Sequence, residues 1–205
     1  SDERALLDPV AALMLPDDAA GQLRIALGYF TTLGPTWIPD LLLWLRDGMP
    51  QLRIELHEGD LDLVARDLAN GVTDCAITYD IGLPPGTARF ALAEVGPQAL
   101  LPRGHPLAAQ DSVSLAELAA HDFVLIDLPL SREFLMVPFW QHGLSPSVKL
   151  RTSSIEMARQ MVARGLGVSL LFTPAGDAAP TDAVLRPLRE DLPRQHLVLA
   201  CDEEH

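Results

Sequence analysis

The sequence is poor in the residues that build covalently braced or membrane-bound proteins. It has two cysteines in 205 residues and no run of eighteen apolar residues. Two cysteines are too few for a disulfide framework, and Cys75 is predicted to pack as a small core residue. Without a run long enough to cross a bilayer, the chain is predicted to be a soluble globular protein of one or two domains.

Positive charge is also scarce. The chain carries 15 Lys and Arg residues against 28 Asp and Glu residues, a formal net charge of −13. Nucleic-acid binding depends on basic side chains that replace counterions along the phosphate backbone. We therefore expect that these residues do not themselves form a DNA-binding surface.

The usual motifs of catalysis, metal binding and secretion are missing. No GxSxG, HExxH, P-loop or strand-linked GxGxxG motif occurs. The six histidines lack metal-ligand spacing, and Asp60 and Asp62 stand two residues apart, where helical side chains do not face each other. We expect no enzyme activity, no metal and no cofactor. The start of the chain lacks the pattern of a leader peptide, so we expect a cytoplasmic protein, although a mature secreted chain or an excised fragment would look the same.

Short apolar runs of strand length alternate with segments of helical period. This alternation is typical of βαβ units around a mostly parallel sheet, and it occurs in two series, so an α/β fold with two similar Rossmann-like lobes is predicted. Residues 81–97 contain three of the seventeen prolines and are the predicted crossover between the lobes. The strand-like runs are LRIAL, LRIELH, CAITY, QALLP, FVLID, VKLRT and GVSLLF.

Polar residues stand where these predicted strands end. Thr31 and Thr32 follow the first strand, and Asp80 follows CAITY. Ser131 follows FVLID and is predicted to cap the next helix. Ligands of open α/β sheets bind beyond the carboxyl ends of the strands, and helix starts favour anionic or hydrogen-bonding ligands. The alternative for each hydroxyl is a satisfied helix cap.

Two serines have the spacing of a capping box. Ser153 precedes Glu156 by three residues, as Ser114 precedes Glu117. Next to Ser131, Arg132 is a candidate for bidentate recognition of a carboxylate. The alternative for Arg132 is an ion pair with Glu133 or with another acid.

The ordered set of segments resembles the effector-binding domain of LysR-type bacterial transcriptional regulators. The resemblance runs from about residue 21 to the end, and it implies a two-lobed fold of the periplasmic-binding-protein type II, with the effector held between the lobes. The segments that carry it are GQLRIAL, IPDLLLWLRDGMPQLRIELHEGD, LVARDLANGVTDCAITYD, LLPRGHPLA, SLAELAAHDFVLID, SSIEMARQMVARGLGVSLL and VLRPL.

The resemblance implies a division of the chain and a set of effector contacts. Residues 1–20 are expected to be the remnant of a linker helix, 21–97 lobe I, and 98–205 lobe II with a return segment to lobe I. The family's winged helix-turn-helix and its closing C-terminal helix are not found in this sequence. The expected effector contacts are Tyr29, Phe30, Thr31, Thr32, Tyr79, Asp80, Ile81, Pro129, Ser131, Arg132, Thr152, Ser153 and Ser154.

The helical segment TWIPDLLLWLRDG has no clean polar face. One face should pack on its own sheet, and the remaining apolar side chains need another cover. The resemblance implies a homodimer, or a tetramer at full length, in which this helix meets the partner's SIEMARQMVARG helix. A loop or the closing helix is the alternative cover. The predicted interface residues are Leu42, Trp44, Leu45, Met157 and Met161.

Three functions remain open on the sequence. The first is the regulatory domain of a LysR-type regulator, which binds a small anionic effector and modulates DNA binding by a separate winged-helix domain. The second is a solute-binding protein of a transporter, and the third and weaker one is an enzyme on a similar two-lobed fold. A winged helix encoded upstream would select the first, and a leader peptide the second.

Overall fold

The computed structural model describes residues 24–173 and 178–202, and the chain divides into two compact units. Unit 1 contains the chain up to Ala93 and resumes at His196, whereas unit 2 is the continuous segment Glu94–Gln195. The predicted linker remnant, residues 1–20, lies outside the described residues. The predicted lobe limits, 21–97 and 98–205, remain a prediction and are not taken from the limits of these units.

Helices and strands alternate through much of the chain as the sequence predicts, but the strands Ala183–Pro187 and Gln195–Asp202 are not among the predicted runs. Among the described residues none of the helices is long and apolar enough to cross a membrane. In chain order the elements are β1 (Arg24–Phe30), α1 (Ile38–Gly48), β2 (Arg53–Gly59), α2 (Leu61–Ala69), β3 (Cys75–Tyr79), β4 (Thr87–Pro102), α3 (Leu115–Ala119), β5 (Asp122–Ile126), α4 (Ser131–Gln141), β6 (Ser147–Thr152), α5 (Ile155–Ala163), β7 (Ser169–Thr173), β8 (Ala183–Pro187) and β9 (Gln195–Asp202), with 3-10 turns at Thr31–Leu33 and Pro106–Ala109.

Unit 1 is built on a sheet whose first strands are parallel. β1 pairs in parallel with β2 and β3, and β3 pairs antiparallel with β9. Asp60 caps α2 by accepting a hydrogen bond of 2.8 Å from the Leu63 N–H. The apolar side of α2, through Val64 and Leu68, packs on alanines and a valine of β3 and β9. Because β1 and β3 are parallel, their carboxyl ends lie at one edge of this sheet.

Helix α1 packs on unit 1, and the sequence does not predict which face of the helix is buried. Ile38 and Leu45 are buried, whereas Leu43 is 50% exposed. Leu45 lines a small apolar cavity of about 20 Å³ together with Ile25 and Leu199. Leu45 is thus a core residue of its own subunit, and its predicted place at a dimer interface is wrong.

Unit 2 has β4 at its centre, paired antiparallel with β7 on one side and β8 on the other. β5 and β6 are parallel, and β5 joins β7 through a bridge between Phe123 and Val168. Gly167 precedes this bridge with a φ of +154°, and a Cβ there would lie 2.5 Å from the Asp122 carbonyl oxygen. The close approach of β5 and β7 therefore requires glycine.

The start of helix α3 confirms one capping prediction. The Ser114 hydroxyl accepts from the Glu117 N–H, and the Glu117 carboxylate accepts from the Ser114 N–H. Arg189 pairs with Glu117 at 3.2 Å. The ion pair between Arg189 and Glu117 thus ties the start of α3 to the segment that follows β8.

His105 gives unit 2 a predicted pH dependence. Its Nδ1 accepts a hydrogen bond from the Leu107 N–H at 3.2 Å, and its ring lies edge-on to His121 with centroids 4.5 Å apart. Burial, and then the charge of His121, lower the pKa of His105. The unfolded chain therefore binds a proton more readily, so this contribution to stability is complete above about pH 6.5 and is lost as the pH falls through the lowered pKa.

We expect the free energy of unfolding, measured with urea, to fall between pH 7.5 and pH 5.5. His105→Asn keeps a hydrogen-bond acceptor but does not titrate, so its curve should be flatter over this interval. Equal slopes for the two proteins would contradict the assignment to His105.

Candidate functional site

Polar residues at the end of β1 are held by a glutamate from β2. The Thr31 hydroxyl and the Tyr29 hydroxyl both donate to the Glu58 carboxylate, the second at 3.2 Å. Burial, followed by the charge of Glu58, raises the pKa of Tyr29. Thr32 is buried in the 3-10 turn. Glu58 was missed at the level of the sequence because it belongs to the neighbouring strand.

Of the other effector contacts predicted in unit 1, some belong to the core and others lie at the surface. Phe30 and Tyr79 are buried and meet edge to face, with ring centroids 5.6 Å apart. The exposed Asp80 pairs with Arg89 at 2.8 Å, and the Ile81 N–H donates to the Tyr79 carbonyl at 2.7 Å. The rings stabilise this strand end, while the Asp80 carboxylate is already neutralised.

In unit 2, at the turn from β5 into α4, Ser131 is not the helix cap that the sequence predicts. The residue before the helix is Leu130, with a φ of +61° and no side-chain cap, so Ser131 is the first helical residue rather than the cap. Ser131 itself is buried and 7% exposed. Its hydroxyl is enclosed and bonds to no described residue. Pro129, beside it, is exposed.

The guanidinium group of Arg132 forms ion pairs with two carboxylates. It pairs with Asp127 at 3.0 Å and with Glu133 at 2.7 Å. The same Asp127 carboxylate binds Arg151 through its other oxygen, also at 3.0 Å. Glu133, and then Asp127, raise the pKa of Arg132, and Arg132 lowers the pKa of Glu133. Asp127 and Arg151 were not identified from the sequence.

The turn from β6 into α5 is capped one residue later than predicted. The Ser154 hydroxyl accepts from the Met157 N–H at 3.2 Å, so Ser154 is the cap, and the capping box predicted at Ser153 is wrong. The Thr152 hydroxyl accepts from the Ser154 N–H at 3.1 Å. The Asp127 N–H donates to the Thr152 carbonyl at 2.8 Å. Unit 2 therefore brings the predicted residues of its two strand ends together around Asp127.

The predicted interface residues differ in exposure. Met157 on α5 is 51% exposed, and Leu42, Trp44 and Met161 are half-buried. Leu43, which the prediction omitted, is as exposed as Met157. Among residues 24–173 and 178–202 there is no cluster of three metal-ligating side chains.

Two α/β units with polar residues at their strand ends define a class of ligand-binding domains. The family model for the LysR substrate binding domain matches residues 17–205. The chain belongs to this family of effector-binding domains of LysR-type transcriptional regulators. The predicted fold, that of type II periplasmic-binding proteins, is confirmed.

Solved structures and curated relatives agree with this assignment. The C-terminal domain of a probable LysR family regulator from Rhodococcus sp. RHA1 is 35% identical, with a TM-score of 0.80 over 89% of this chain and 91% of that one. The effector-binding domain of BenM with its effector benzoate is 22% identical, with a TM-score of 0.72 over 87% of this chain and 83% of that one. At this identity the likeness to BenM shows the fold alone.

Among curated proteins, the hydrogen peroxide-inducible genes activator of Pectobacterium carotovorum subsp. carotovorum is 27% identical over 146 residues. The match covers 71% of this chain and 48% of the relative. The chain thus spans about half the length of this relative.

The two thiols of the chain are predicted to be inert in the folded protein. Cys75 and Cys201 are 1% and 3% exposed and stand opposite each other on β3 and β9. Burial raises the pKa of both, that of Cys201 to about 11. Because thiolates are the reactive form, we expect Ellman's reagent to modify neither thiol in native protein and both in urea. Rapid modification of the native protein would contradict this.

Proposed function

We propose that this chain is the sensing domain of a longer LysR-type regulator, that it binds a small anionic effector, and that the effector alters DNA binding by a separate winged-helix domain. The observation that carries the proposal is the enclosed hydroxyl of Ser131. An unpaired buried polar group costs about 1–3 kcal/mol, and such a group calls for a functional explanation. A hydrogen-bonding ligand supplies one.

The backbone beside this hydroxyl supports the same proposal. Leu130 has a φ of +61° with a ψ of −37°, which is unfavourable for a side chain of its size, and strain of this kind clusters at ligand clamps and switches. Because the Ser131 Oγ is enclosed in this conformation, a ligand reaches it only after the turn or the side chain moves. The effector therefore favours one of two conformations, which is the requirement for a regulatory ligand.

Other contacts to the same effector are proposed from the family resemblance. They are Tyr29, Phe30, Thr31, Thr32 and Tyr79 to Ile81 in unit 1, and Pro129, Arg132 and Thr152 to Ser154 in unit 2. The relative named above is a transcriptional regulator, which favours regulation over the solute-binding alternative. The proposal includes a cytoplasmic homodimer that pairs through Leu42, Trp44, Met157 and Met161.

A thermal-shift screen tests the proposal, because a ligand that binds only the folded state raises the apparent melting temperature. BenM binds benzoate, so the screen includes small carboxylic acids of that kind together with their neutral amides. A ligand found in this way should lose affinity in Ser131→Ala but not in Ser147→Ala, a matched change at an exposed serine of β6. Equal binding by both variants would contradict the role of Ser131.

A second arm tests regulation in the full-length regulator. Addition of the ligand found in the screen should change the affinity of the regulator for its operator DNA, measured by fluorescence anisotropy. An operator affinity that is the same with saturating ligand as without it would contradict the regulatory function.

A further inference from the structure

A carboxylate in unit 2 holds two guanidinium groups side by side. The two oxygens of Asp127 accept one hydrogen bond each, from Arg132 and from Arg151, both at 3.0 Å. Asp127 directly follows β5, Arg132 is the second residue of α4, and Arg151 lies near the end of β6. The group therefore lies at the carboxyl ends of two parallel strands.

The two arginines differ in how many donors they have left. Arg132 uses Nε and Nη2 on Glu133 and Nη1 on Asp127. Arg151 uses only Nη1, and within the described part of the chain its Nε and Nη2 donate to no acceptor. Its side chain is 54% exposed. Arg151 thus keeps one edge of its guanidinium open to solvent, and this edge has the geometry for bidentate binding of a carboxylate or phosphate.

The surroundings of Arg151 connect it to the proposed effector residues. Arg151 immediately precedes Thr152, whose carbonyl accepts from the Asp127 N–H at 2.8 Å. The chain as a whole carries a net charge of −13, which repels anions. Binding of an anion therefore needs a local cation with free donors, and in unit 2 Arg151 meets this need better than Arg132.

We propose that Arg151, held in place by Asp127, binds the carboxylate or phosphate group of the effector and so sets its preference for anions. This inference rests on the function proposed above and assigns the anion contact to a residue that the sequence did not single out. Arg132, already neutralised by two acids, has a smaller part in anion recognition.

The test compares the present chain with Arg151→Gln, Arg151→Lys, Arg132→Gln and Lys149→Gln. Lys149→Gln is the matched control because it removes one exposed positive charge from the same strand. The probes are benzoate, citrate and inorganic phosphate, with benzamide as the neutral counterpart of benzoate, and binding is measured by calorimetry and thermal shift.

We expect at least one anion to bind, and Arg151→Gln to weaken it about tenfold to a hundredfold while Lys149→Gln changes it by less than about threefold. Arg151→Lys should recover part of the affinity, and Arg132→Gln should have a smaller effect than Arg151→Gln. Equal losses in Arg151→Gln and Lys149→Gln would overturn the inference, as would the failure of every anion to bind.

The outcome separates this inference from the proposed function. A neutral ligand that depends on Ser131 but not on Arg151 would reject the anion contact and leave the sensing function standing. Loss of ligand binding in Ser131→Ala together with Arg151→Gln supports both.

Discussion

Replacement of Gly167 by alanine is expected to destabilise unit 2 by about 3 kcal/mol or more. The new Cβ would lie 2.5 Å from the Asp122 carbonyl oxygen and 3.2 Å from the carbonyl carbon. That oxygen accepts a hydrogen bond from the Val168 N–H at 2.9 Å, so the strand cannot retreat without losing the contact between β5 and β7. A φ of +154° adds strain for any residue with a side chain.

Urea unfolding followed by circular dichroism measures this effect. Gly104→Ala is the matched control, because a Cβ at Gly104 would meet nothing within 4 Å and the backbone there does not have a positive φ. The control should change the free energy of unfolding by less than about 0.5 kcal/mol. Similar stability of the two variants would show that β5 and β7 are not packed as closely as described.

Leu45→Ala is expected to cost about 2–5 kcal/mol, the range for a leucine truncated in a core. Leu45 is 4% exposed and already borders a cavity of about 20 Å³. Truncation enlarges a space that the sheet and α1 leave open, so we expect a value in the upper half of this range. The loss belongs to the isolated subunit and should not depend on protein concentration.

Leu43→Ala separates the core from the proposed interface. Leu43 lies on the same helix and is 50% exposed, so its truncation should change the stability of the subunit by less than about 0.5 kcal/mol. If α1 pairs with a second subunit, sedimentation should instead show weaker association in Leu43→Ala or Trp44→Ala. An equal loss of stability in Leu45→Ala and Leu43→Ala would contradict the described orientation of α1.

The parts of the structure that the sequence predicted well depend on local patterns. Strand and helix alternation follows from the spacing of apolar residues, and the capping box at Ser114 places both partners within four residues. The caps at Ser131 and Ser153 were each misplaced by one residue. A positive φ at Leu130 is not signalled by a leucine, and two adjacent serines, Ser153 and Ser154, offer two equivalent caps.

The parts that were missed depend on distant partners or on orientation. Glu58 meets Thr31 across 27 positions, and Asp127 meets Arg151 across 24, and such pairs appear only once strands are placed in register. A helix without a clean polar face does not show which leucine faces inward, so Leu45 was assigned to the wrong side.

The return of the chain to unit 1 has a consequence for synthesis on the ribosome. β3 pairs with β9 over its whole length, from Cys75 to Tyr79, and β9 begins only at Gln195. While unit 2 is being translated, the edge of β3 that later pairs with β9 is therefore open. All the residues of β3 are of a kind that the folded protein buries, and an open edge of this kind can pair with other chains. We therefore expect β3 to be the strand of unit 1 most exposed to wrong pairing until β9 has been synthesised.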